Sequence, residues 1–417
     1  PELFQANANM SENDKSDTAN NFLLPKWSNS SQFEFVYKMR KLLESPTVTE
    51  SLPKWIDVVW GDRGHSTNIE RKHSILFTSP HSPKELFVNR HLTHQLTLQT
   101  QTVQSPSKPS PSTVTSPHQS TSSSIILALC DDSVIGVVME DRKVVFNRIV
   151  VSEQGINLIK ARSYRLENSL DDKILISCGS SILTFNKQAC LLTIFRSYTK
   201  AVQKTIICDD ARIKSFDGSN FVYLADSCTI CFFDVSGTNT SMRCFSSIVS
   251  EFDITLFEVS KKFGLIVYAT VNNCVVICSL PSGKVINSVS LDHAATRIII
   301  TECWGFVVVY SEIYGEIEAS NNGGGYGEIV VLNVNGSLIK KQEFPYKIDY
   351  WKEARSVQGF DYILFQYKND TLAAFEVMYP EKQCLLCDAK DLIEAHYVMN
   401  AEVILIITKH GKILVHP

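Results

Sequence analysis

A chain of 417 residues is long for one small domain and points to two. Its composition, 44% hydrophobic and 20% charged, is that of an ordinary globular protein, and a net charge of −4 gives no electrostatic case for nucleic acid as a partner. No apolar run approaches the ~20 residues that a membrane-spanning helix needs; with Pro1 in place of a start Met or signal peptide, the expectation is a fragment of something longer.

Residues 1–90 read as helix-rich and carry no cysteine. The stretch 32–61 is their best-specified part, two short amphipathic helices meeting at Pro46. Ser31 followed by Glu34 fits a capping box, and Val36, Met39 and Leu43 keep helical spacing with Phe35 and Leu42 beside them. Helical geometry is disfavoured just before a proline, so this helix is expected to stop near Ser45. Thr49 is the expected cap of the second helix, or Ser51 because Pro53 disturbs the first turn. Leu52, Ile56 and Val59 form its buried stripe, and Gly61 suits the left-handed residue that ends it.

Residues 91–124 form a Ser/Thr/Pro-rich linker. The tract 104–124 cannot bury enough apolar surface to offset the entropy of ordering, so it is expected to be a disordered linker or insertion. Just before it, 95–103 alternates apolar and polar residues and is a candidate strand.

From 125 to 417 the pattern changes to short apolar or alternating strands. The clearest four-strand units are 211–245, 254–290, 295–344 and 351–387. Such a unit cannot cover its apolar faces alone and stacks on its neighbours, the repeat of a β-propeller; at about 42 residues per blade the region holds about seven. The last unit, 393–416, has only three strands, and a ring without an exposed edge needs a fourth, for which 96–103 is the expected donor. All twelve cysteines lie between Cys130 and Cys387 on strand-like runs, and they read as buried free thiols of an intracellular protein.

The helical hairpin also carries a family resemblance. Leu43-Glu44-Ser45, then Val48-Thr49, Leu52 and Trp55-Ile56-Asp57-Val58-Val59-Trp60-Gly61 resemble, without a gap, the closing signature of the BEACH (beige/Chediak–Higashi) domain. Leu24-Pro25-Lys26-Trp27-Ser28 and Phe35 to Arg40 are similar to two motifs upstream of it, and Leu76-Phe77-Thr78 with Pro80-His81 to the one that closes the domain. Met39 stands where the family usually has His, and Asp62-Arg63 where it commonly has Lys-Gln. In this family WD repeats usually follow the domain; no Trp-Asp pair occurs here, and Phe233-Asp234 is the nearest equivalent. The resemblance implies a mixed fold: the C-terminal part of an α-helical BEACH domain, then an all-β WD-repeat-like propeller.

Little in the chain looks like chemistry. Arg40 and Glu44 are one helical turn apart, a surface pair worth about 0.2–0.5 kcal/mol. Trp27, Trp55 and Trp60 could anchor a partner, but core packing is the stronger reading. The resemblance makes these five residues, with Ser45, Ile56, Asp57 and Gly61, structural or interaction positions rather than catalytic ones. Cys384 and Cys387 form a lone C-x-x-C with no second ligand pair for zinc, and the glycine-rich run 321–327 lacks the Lys-Ser/Thr end of a phosphate loop. No catalytic residue, metal site or cofactor is expected.

The resemblance then implies a non-enzymatic scaffold or adaptor in intracellular membrane and vesicle trafficking, of the kind linked to lysosome-related organelles, autophagy and protein localisation. It would be cytosolic and peripheral to intracellular membranes, with proteins bound on the propeller and BEACH surfaces. Membrane association would be indirect, or through a PH-like domain preceding residue 1. The alternative is an anchor for a signalling enzyme such as a protein kinase. A third reading, an enzyme with its site at the ring's central opening, needs convergent carboxylates or metal ligands there.

Overall fold

The computed structural model describes residues 24–28, 31–45, 47–52, 112–113 and most of 124–416. They belong to two compact units, Pro1–Ser107 and Lys108–Pro417.

In the first unit a 3-10 turn at Lys26–Ser28 leads to the helix Gln32–Leu43, α1. Ser31 is extended and its Oγ accepts from the Glu34 N–H at 3.2 Å, as the capping box requires. The helix ends before Ser45, with the Glu44 N–H donating to the Arg40 carbonyl. Residues 47–52 are helical again, and their cap is Ser45 rather than Thr49 or Ser51. Its Oγ accepts from the Val48 N–H at 3.4 Å, and its carbonyl from the Thr49 N–H at 2.9 Å. A proline follows that cap in the sequence, and a residue without an N–H suits a helix start, where the N–H would lack a partner. The buried residue of α1 is Tyr37, whereas Leu43, expected on the inward stripe, is 58% exposed and Leu52 is 44% exposed. The inward face is thus centred on an aromatic ring one place from the predicted series, since Tyr brings a large apolar body to that side. Pro53, Ile56, Val59 and the segment 95–103 lie outside the described residues.

In the second unit there are seven antiparallel four-stranded sheets, six of them in chain order, the arrangement of a seven-bladed propeller. The first strands of blades 1 to 7 are Ile125–Cys130, Ile174–Cys178, Ile213–Ser215, Ile254–Ser260, Ala295–Ile300, Ile348–Arg355 and Leu392–Val398. First strands of neighbouring blades contact one another, so they form the inner wall of the ring. Blades 1 and 2, whose period is weak in the sequence, are complete sheets over 125–205. The fourth strand of blade 3 is Cys244–Val249, so this blade runs past the expected end of its unit at 245.

The second strand of each blade shows why the units stack. Leu265–Thr270 is buried at every position, because a sheet with neighbours on both faces has no wet side. Its residues alternate between two seams. Leu265, Val267 and Ala269 pack with Val307 and Val309 of blade 5, while Ile266 and Tyr268 pack with Val222 and Leu224 of blade 3. Burying one such aliphatic side chain contributes about 1.5–3 kcal/mol. The repeat also appears in the register. In five blades the inner strand bulges at its start against the second strand, between Ile125 and Leu127, Ile254 and Leu256, Ala295 and Arg297, Ile348 and Tyr350, and Leu392 and Glu394.

Blade 7 takes its fourth strand from earlier in the chain, as expected, but from a different place. The donor is Ser112–Thr113, inside the Ser/Thr/Pro tract, with Ser112 opposite Val415 and Thr113 opposite Leu414. Proline-flanked residues are tolerated there because the strand is an edge. Behind it, Leu405 and Ile407 of blade 7 pack with Ile135 and Val137 of blade 1.

Candidate functional site

Of the family-motif residues, Trp27, Arg40, Glu44 and Ser45 are among the described residues; Trp55, Ile56, Asp57, Trp60 and Gly61 lie outside them. Trp27 is 45% exposed rather than core-packed. Its ring stacks on Phe35 at 5.3 Å, and Lys38 Nζ donates to its carbonyl at 2.5 Å while pairing with Glu34 at 2.6 Å. It sits on the turn that precedes α1, so it braces the helix start. Arg40 and Glu44 meet at 4.0 Å on the surface, a contact worth a few tenths of a kcal/mol. These residues build a helix pair; none of the four is grouped with nucleophiles or metal ligands.

Among the described residues, a cavity of about 870 Å³ lies at the propeller's centre, walled by inner strands of blades 2 to 6. Several charged side chains on the inner strands and their turns bridge blades. Lys214 Nζ of blade 3 pairs with Glu258 Oε2 of blade 4 at 2.8 Å, and that carboxylate holds the Lys214 ammonium above its ordinary range against the cost of burial. Arg297 of blade 5 donates to the Asp349 carbonyl of blade 6 at 3.1 Å. Lys352 of blade 6 pairs with Glu394 of blade 7 and donates to the Cys130 carbonyl of blade 1 at 3.1 Å. Arg355 joins Glu302 at 2.5 Å and Asp132 at 3.4 Å, and His396 Nε2 reaches the other oxygen of Asp132 at 3.0 Å. Burial pushes the His396 imidazole down, with Lys352 adding to the effect and Asp132 opposing it.

Convergent carboxylates do occur among the inner strands and their turns, but Glu258, Glu302, Glu394 and Asp132 are matched to Lys, Arg or His from other blades. Glu353 is the exception in character: it accepts a hydrogen bond from the Glu302 N–H, and burial, reinforced by nearby carboxylates, pushes its carboxyl well above the usual range. Among the described residues no group of three or more His, Cys, Asp or Glu is placed to hold a metal ion. Cys384 is exposed and Cys387 half-buried on the fourth strand of blade 6.

Glu353 makes the stability of the propeller depend on pH. Its folded form favours the proton, so its contribution to stability is present below the unfolded-state value of about 4.3 and is lost as pH rises through the higher folded-state value. Glu353→Gln keeps the acceptor oxygen without the charge. Urea denaturation at pH 7 should show a higher midpoint for the variant, with the gap closing at pH 4. A lower midpoint at pH 7 would mean that the carboxylate is needed charged.

Sequence reasoning passed over these inner-strand charges and also Asp361, which is 1% exposed at the start of the second strand of blade 6. Its carboxylate accepts from Thr301 Oγ1 at 2.5 Å and from the Cys303 and Trp304 N–H groups at 2.9 and 3.0 Å, fixing a turn of blade 5. A charged residue inside an apolar run, as at Lys214, Arg297 and Glu394, was the available signal.

Comparison with known proteins matches the family model for the Beige/BEACH domain to residues 1–109. BEACH domain-containing protein A2 of Arabidopsis thaliana is 31% identical over 71 residues, which are 17% of this chain and 2% of that protein's length. The C-terminal WD40 domain of Sif2 aligns over 70% of this chain and 95% of its own, with 11% identity and a TM-score of 0.45. The Cps50 (Swd1) β-propeller domain of Myceliophteria thermophila aligns over 74% and 99%, with 11% identity and a TM-score of 0.48. The blade count stands on the strand pairing itself. The chain thus joins a segment that matches the Beige/BEACH domain, residues 1–109, to a seven-bladed propeller built from the described strands.

Proposed function

We propose that the chain is part of a non-enzymatic scaffold that holds partner proteins in intracellular membrane and vesicle trafficking, on the cytosolic side of the membranes concerned. The observation that carries the reading is the joining, in one chain, of a BEACH match and a complete propeller. A ring whose inner charges are spent on tying blades together has its capacity for recognition on its loops and edges. A rigid ring of this kind offers many loops at fixed spacing, which suits the holding of several proteins at once. Membrane contact in this reading is indirect, or runs through a PH-like domain preceding residue 1.

Proximity labelling with the full protein in its source cell tests this. The expected labelled set is enriched in coat, tether and fusion proteins of internal membranes. A set dominated by nuclear or secreted proteins would overturn the proposal.

A further inference from the structure

Three loops at one end of blades 3 and 4 place exposed apolar side chains beside carboxylates. They are the turn 226–228 of blade 3, the link 250–253 between the blades, and the turn 271–273 of blade 4. Backbone bonds lock them together: Ser250 N–H to the Cys228 carbonyl at 2.9 Å, Ile254 N–H to the Ser227 carbonyl at 2.7 Å, and Val271 N–H to the Asp253 carbonyl at 3.0 Å. Side chains add to this, with the Phe252 N–H donating to Ser250 Oγ at 3.2 Å and the Cys228 thiol to Asp253 Oδ1 at 3.2 Å.

On this platform Val249 is 71% exposed, Phe252 47% and Val271 56%. Asp226, Glu251 and Asp253 are exposed around them. Hydrogen bonds from Ser227 and Cys228 hold the Asp253 carboxyl below its usual range, so it is charged at neutral pH. An exposed apolar group with a polar rim marks a docking surface, and a ring already held by a bonded link loses little freedom on contact. The carboxylates select the sign of what approaches.

We propose that this surface docks a peptide segment of a partner protein carrying one large apolar side chain flanked by Lys or Arg. The apolar side chain lies against Phe252 and Val271, and the flanking cations face Glu251, Asp226 and Asp253. The inference rests on the reading of the propeller as a protein-binding platform and gives that reading a location.

The test uses the purified 417-residue chain and fluorescent nonapeptides with Phe, Leu or Ala at the centre and Lys, Ser or Glu in the flanks. Lys-flanked Phe or Leu peptides should bind at least about tenfold tighter than their Glu-flanked counterparts and weaken with added salt. Phe252→Ser and Glu251→Lys should each weaken them at least about fivefold, with the circular-dichroism melt unchanged. Binding that ignores flank charge overturns the proposal, as does the absence of any peptide binding. Binding that survives both substitutions overturns it too, and leaves the platform reading standing with the contact elsewhere on the ring. A concentration-dependent dimer in light scattering that Phe252→Ser abolishes would assign the patch to self-association instead.

Discussion

Asp361→Ala should lower the stability of the propeller by about 3–5 kcal/mol, the range for removing one member of a buried charged hydrogen-bonding group. Three donors converge on that carboxylate, and two of them are the backbone N–H groups of Cys303 and Trp304. The Ala methyl accepts nothing, and water reaches the site poorly, since Asp361 is 1% exposed and Thr301 fully buried. The loss would spread along the blade 5–6 seam. Thr301 Oγ1 also accepts from the Phe306 N–H at 3.0 Å, and the Trp304 indole donates to the Gly359 carbonyl at 3.2 Å. Asp361→Asn separates acceptor loss from size: both carboxylate oxygens accept, so an amide nitrogen in either place faces a donor. Urea melts of both variants check this, and an Asn variant as stable as the parent would refute the account.

Gly327→Val should cost about 3 kcal/mol, at the upper end for overpacking a filled core. A Cβ at Gly327 would lie 2.3 Å from Tyr310 Cε2, with Cζ and Oη at 2.6 Å. Tyr310 is fully buried and has no room to retreat. Its hydroxyl accepts from the Ile348 N–H of blade 6 at 3.3 Å, and its ring packs 5.8 Å from Trp351. Moving it therefore opens the seam between blades 5 and 6. Replacing both residues tests the mechanism: in Gly327→Ala with Tyr310→Leu the costs should fall short of their sum, because the second change removes the ring that the first one strikes. Additive costs would locate the damage elsewhere.

Much of the fold was readable because it is local and periodic. The strands of blades 4, 5 and 7 fall almost where alternation and turns place them, and Asp234 ends the third strand of blade 3 as the expected equivalent of a Trp-Asp end. The capping box at Ser31 was equally legible, since its partners are three residues apart. What sequence could not supply was long-range pairing. Segment 96–103 has the better alternating pattern, yet the strand that meets Ile413–His416 is Ser112–Thr113, chosen by where the chain must pass to enter blade 1 rather than by β propensity. The site charges were hidden for the same reason. Lys352 reads as an ordinary strand lysine until blade 7 brings Glu394 and blade 1 the Cys130 carbonyl to it.

The closing strand has a consequence for synthesis. Ser112 waits for Val415, about 300 residues later, which at roughly 5–20 residues per second is roughly 15–60 s of translation. Blades can stack as they emerge, but until residue 416 has left the ribosome the molecule is an open spiral. In that interval the face of blade 1 bearing Ile135 and Val137 has no Leu405 or Ile407 to cover it. Non-local pairings of this kind are slow to form and leave apolar surface open to aggregation. Dependence on a chaperone should therefore belong to the nascent spiral and end when the ring shuts.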